Sequence, residues 1–167
     1  HDMDELEGRL REWIAFGEDL NDDFFNAGES VKMYIDGVYG TKTAFMTKPY
    51  IDPDDPENYG FPLWTQGDFN KVTTLIDQYK LQCCTHGIGD AGIAMIVDGY
   101  ENAFNLNGFR DARHRIEHCE LPLPEDRKTM GKLGIGAAMQ PTHFFGDKTG
   151  EDLLGLERLR RLHPWRS

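Results

Sequence analysis

Apolar and polar positions along this chain alternate with two different periods, and the switches between them mark its elements. Leu6, Leu10, Trp13 and Ile14 recur at helical spacing among Asp4, Glu5, Glu7, Arg9, Arg11 and Glu12. That stripe predicts an amphipathic helix over 4–16, closed by Gly17. The acidic stretch 18–29 follows, and Phe24 and Phe25 within it are expected to dock on a core or on a missing neighbour. From Ser30 the period drops to two. Val31, Met33 and Ile35 alternate with Lys32, Tyr34 and Asp36, which predicts a strand with those three polar side chains on one side. Residues 37–60, rich in proline and aspartate, show no sustained period. A stretch this long is expected to be a lid or binding loop, or else a solvated insertion.

Helical spacing returns over 67–80, with Phe69, Val72, Leu75, Ile76 and Tyr79 as its stripe and Thr65 or Asp68 as its cap. A short strand, 81–86, ends at His86. Gly87 and Gly89 break it, and Asp90 is placed to cap the helix 91–106, with Ile93, Ile96, Val97, Tyr100, Ala103 and Phe104 inward. A second strand, 113–118, also ends in a histidine, His118. A helix over 124–133, a small-residue strand over 135–140 and a last helix over 151–162 complete the order. Regular strand-then-helix alternation implies an α/β fold of parallel strands with helices outside. Four such βα units amount to half of an eight-stranded barrel. The division expected is an N-terminal helix with an acidic linker, 1–29, then a partial barrel, 30–167, carrying the long loop 38–63.

Charge narrows the partners. The net charge is −11 over 167 residues. Such a balance repels nucleic acid and anionic membrane, so neither is expected as a partner. No apolar run reaches the length of a membrane span, and no signal peptide is recognised at the start, where His1-Asp2-Met3 reads as an added remnant. Cys83, Cys84 and Cys119 form neither a metal-ribbon spacing nor an even disulfide framework. Buried, reduced thiols are the reading, and they fit a cytoplasmic setting.

Candidate chemistry gathers at strand ends. In parallel α/β folds that is where sites form. His86 there is a metal ligand or general base, or alternatively a core histidine satisfied by a backbone carbonyl. His118 ends the next strand, about 4.8 Å away, so in register the two imidazoles could share one ion. Lys32 pairs with an acid such as Asp36 or, as a carbamate, offers two oxygens to bridge metals. Asp90 is a helix cap or an acceptor that orients a ligand histidine. Gln140 is a substrate contact or a turn amide, and His143 lies near the same rim. Glu117 is expected packed or salt-bridged. His114, at the far end of its strand, is discounted as a ligand.

Four stretches carry a resemblance: Val31 to Gly37, Thr85 to Asp90, His114 to His118, and Met139 to His143. In this order they resemble successive motifs of the metal-dependent amidohydrolase superfamily, in the branch similar to N-substituted formamide deformylase (amidohydrolase family 3). The resemblance runs from about Ser30 to Ser167. It implies a distorted (β/α)8 barrel, a TIM barrel, of which these would be strands four to seven. It further implies metal ligation by His86 and His118, with Lys32 at the carboxylated-lysine position. Asp36, Asp90, Gln140 and His143 are then substrate or outer contacts of that centre.

The chain also departs from that family. No His-x-His pair occurs, and no strand-ending aspartate follows to serve as general base. The resemblance therefore implies a central piece of a hydrolase that cleaves amide-like, non-peptide C–N bonds of a small molecule with one or two divalent ions, zinc above all. The isolated piece is expected to be inactive and to self-associate as a homo-oligomer through open barrel edges. The competing expectation is a non-catalytic binding or regulatory module on the same scaffold.

Overall fold

The computed structural model describes residues 2–24, 26–144 and 148–162. The elements run α1 (Met3–Leu20), β1 (Ser30–Tyr34), α2 (Gln66–Gln78), β2 (Gln82–Gly87), α3 (Asp90–Asn107), β3 (Arg115–His118), α4 (Pro124–Leu133), β4 (Gly136–Ala138) and α5 (Lys148–Leu159). Short 3-10 turns occupy Tyr39–Thr41, Pro141–Phe144 and Arg160–Leu162. The four strands form one parallel sheet in the order β1-β2-β3-β4. Sequential parallel strands with intervening helices are the arrangement of a partial TIM barrel, as the alternation implied.

One face of the sheet is the core. Met33, Ile35, Cys83 and Ile116 point at the helices and meet Phe69, Val72, Ile76, Ile93, Ile96, Val97 and Tyr100. The predicted stripe of α3 is buried throughout. Gly99 lets α2 approach α3, because a Cβ there would collide with the Phe69 ring. Tyr100 sits fully inside and donates its O–H to Thr85 Oγ1 at 2.7 Å, which satisfies both hydroxyls in the interior. Thr65 caps α2 by accepting from the Asp68 N–H.

Several local expectations change. Gly17 does not end α1, which runs on to Leu20. Its missing side chain serves packing instead, since a Cβ would overlap the Ala27 carbonyl of the returning chain. Phe24 docks on nothing and is fully exposed; Phe25 lies outside the described residues. Stretch 37–60 is no solvated insertion. Ala44, Met46 and Tyr50 are buried and build a second core with Ile88, Leu121 and Leu154. Tyr50 donates its O–H to the Ala44 carbonyl at 2.8 Å. The last helix is kinked at Gly155 (φ 76°). Among the described residues no helix is long and apolar enough to cross a membrane.

Candidate metal centre

Register decides which side chains share the other, concave face. Lys32 pairs with Cys84, and Tyr34 with His86. His86 in turn pairs with Glu117, and Glu117 with Ala138. Paired positions in a parallel ladder project to the same side. So Lys32, Tyr34, Cys84, His86, Arg115 and Glu117 all belong to this face. Lys32 is exposed, with Nζ 4.8 Å from the centroid of the Tyr34 ring. Arg115 Nε donates to Glu117 Oε1 at 2.6 Å.

His118 is not in register with His86; it pairs with Gly87. Strict alternation would send its ring to the helix side. The backbone breaks that alternation: φ is +70° at His118 and +47° at Cys119. Two consecutive non-glycine residues in the left-handed region are costly, at about 1 kcal/mol or more each, and such pairs concentrate at functional sites. As a result the His86 and His118 rings meet edge to face, centroids 4.6 Å apart.

Hydrogen bonds fix the tautomers. His86 Nε2 donates to the Gly37 carbonyl at 2.8 Å, which leaves the Nδ1 lone pair available. Burial holds the His86 pKa below the ordinary histidine value, and the nearby His118 and Lys32 push the same way. A neutral imidazole is the ligating form. His118 Nδ1 donates to Gln140 Oε1 at 2.8 Å, so its Nε2 lone pair is available. These are donor atoms fit for a divalent ion. Gln140 thus acts on the ring of His118.

Asp36 turns beneath this face. Its carboxylate accepts from the N–H groups of Ile88 (3.2 Å), Gly89 (2.9 Å) and Phe45 (2.9 Å). Burial raises its pKa to about 6 against the opposing pull of those donors. His86 Nε2 lies 3.6 Å from Asp36 Oδ1, beyond a direct hydrogen bond. Asp90 is elsewhere. Gly89 takes the N-cap position of α3. The Asp90 carboxylate accepts from Thr47 N–H (2.7 Å), Thr47 Oγ1 (2.9 Å) and Arg161 (2.8 Å), which ties the long loop to the C-terminal turn. His114 is fully buried, accepts from the Cys83 N–H and donates to Asp77. All three cysteines are free and buried.

Around the His118 turn the structure adds a residue that the sequence pattern did not single out. Glu120 is buried and accepts from His143 Nδ1 at 2.7 Å. The His118 and His143 rings stack at 6.0 Å with 9° between planes. The signal available in sequence was the i,i+2 step from His118 to Glu120, the chain's single histidine–acid pair at that spacing.

The amidohydrolase family model matches residues 8–167. This chain belongs to the amidohydrolase family. It is 36% identical over 138 residues to Protein LONG AFTER FAR-RED 3 of Arabidopsis thaliana, covering 83% of this chain and 21% of that protein. It is 23% identical over 139 residues to "Putative amidohydrolase YtcJ" of Bacillus subtilis (strain 168), covering 83% of this chain and 25% of that protein. The chain thus spans between a fifth and a quarter of these curated relatives. Among solved structures it is similar to an uncharacterized metal-dependent hydrolase from Pyrococcus furiosus: TM-score 0.73, 23% identity, 91% of this chain and 31% of that one. A second, from Pyrococcus horikoshii OT3, has TM-score 0.71 and 24% identity, over 94% of this chain and 31% of that one. These two likenesses bear on the fold.

Proposed function

We propose that this amidohydrolase-family chain carries one corner of a metal centre that hydrolyses C–N bonds of a small, amide-like, non-peptide substrate, as in the formamide deformylase-like branch. The observation that carries the reading is the convergence of His86 and His118 at the ends of adjacent parallel strands. His86 Nδ1 and His118 Nε2 would hold the ion, and Lys32, on the same face, would join them as a carbamate. A bound divalent ion, zinc above all, supplies Lewis acidity and lowers the pKa of water.

The chain's own residues do the positioning. Gly37 and Gln140 orient the two rings, and buried Asp36 braces the loop behind His86. With two imidazoles and one lysine, and no His-x-His pair or general base assigned, the isolated chain turns nothing over. A whole protein carrying this chain is the catalyst in this reading.

The test is direct. In the intact parent protein, His86→Ala and His118→Ala each abolish hydrolysis of N-formyl amines. Full activity in either variant would refute the assignment. Turnover by the 167-residue chain with added zinc at the parent's rate would refute its incompleteness. The backbone carbonyl that holds His86 Nε2 favours a second reading, a non-catalytic scaffold. Metal content after mild purification separates the two: tightly held metal that His86→Ala releases supports the hydrolase corner, and no metal released by that change supports the scaffold.

A further inference from the structure

Glu120 is the anomaly of the concave rim. Its side chain is 3% exposed. One oxygen accepts from His143. The other, Oε2, is buried with no hydrogen-bond partner, the only such side-chain atom among the described residues. A buried carboxylate oxygen left bare is costly, because it has lost its water and gained no donor.

Two imidazoles flank that carboxylate. One ligand atom from each of His118, Glu120 and His143 can be chosen so that all lie within 4.8 Å of one another. The left-handed pair His118–Cys119 is what turns the chain so that His118 and Glu120 reach one point. Gln140 occupies His118 Nδ1 and leaves Nε2 as the donor. His143 is half exposed, which gives an ion a path from solvent.

From this we infer that His118, Glu120 and His143 form a divalent transition-metal site that overlaps the His86–His118 pair only at His118. Two imidazoles and one carboxylate are a ligand set suited to zinc and its neighbours, with a position left for water or a substrate oxygen. The ion answers the bare Oε2 and balances the buried charge. All three ligands come from this chain, so the site does not need the strands that the hydrolase reading requires. His118 is common to both sites, and an ion here competes with His86 for its Nε2.

Cobalt(II) is the probe, since its visible absorption reports ligand number and it replaces zinc. The 167-residue chain takes up Co2+, and Zn2+ displaces it. Glu120→Gln and His143→Ala each weaken uptake by at least about tenfold, whereas His86→Ala leaves it within about twofold. In the unsubstituted chain, Zn2+ shifts the ring nitrogen resonances of His118 and His143 but not those of His86, a readout that needs no variant. No uptake at millimolar Co2+ overturns the inference. So does an affinity that His86→Ala lowers and Glu120→Gln does not; in that case the ion sits in the His86–His118 pair, and the hydrolase reading stands while this one falls.

Discussion

The imidazoles of His86 and His118 meet at 4.6 Å although His118 stands opposite Gly87 in the ladder, one residue out of step. The left-handed φ of +70° at His118 closes that gap. The residue is therefore under two demands, an unusual backbone and a particular ring. Asparagine tolerates the first and lacks the second. His118→Asn is expected to keep the melting temperature within a few degrees while metal uptake falls at least about tenfold. Calorimetric melting and Co2+ titration on the same sample check this.

Asp36 joins the long loop to the β2–α3 turn by accepting from Phe45, Ile88 and Gly89. Asp36→Asn replaces one acceptor oxygen with a donor facing backbone N–H groups. The expected loss is about 1–3 kcal/mol, read by urea denaturation. Limited proteolysis should cut first within 37–60, because that loop is released before the sheet opens.

The pH dependence of stability has an identifiable source in His114. Burial lowers its pKa to about 4 in the folded chain, against about 6.5 when free. Between these values the unfolded state binds the proton and the folded state does not. Stability present above pH ~6.5 is therefore lost as pH falls toward ~4, by up to about 3 kcal/mol. Asp36 has the opposite sign. Its folded pKa of about 6 lies above its free value, so it favours the fold at low pH and withdraws that support as pH rises through 6. His114→Gln should flatten the acid side of the profile, measured by chemical denaturation across pH 4–8.

β1 and β4 each pair on one side only among the described residues, and Tyr34 on the concave face is 52% exposed. Open parallel edges and a bare inner face favour association with a second copy. Light scattering is expected to give a dimer or larger species whose proportion rises with concentration. A monomer at every concentration would contradict this.

Much of the fold was legible because local patterns report burial. The stripe Ile93, Ile96, Val97, Tyr100 needs no knowledge of distant residues to read as a helix face, and the alternation at Val31, Met33 and Ile35 names its sheet side. Thr65 before Gln66 is a cap that acts within one turn. His86 and His118 were legible as strand-end residues for the same reason.

What remained hidden depends on contacts between distant segments. The burial of Ala44, Met46 and Tyr50 comes from Leu121 and Leu154, far along the chain, so stretch 37–60 shows no period of its own. Gly17 reads as a helix end until Ala27 returns against it. Glu120 looks like one more acid in an acidic chain, and only the turn at His118 and Cys119 buries it beside His143. Sequence alone determined the order of strands and helices and two of the histidines, because periodicity and turn residues act locally. Tertiary structure decided which rings meet and which carboxylate lacks a partner, because register, backbone handedness and burial are properties of the assembled sheet.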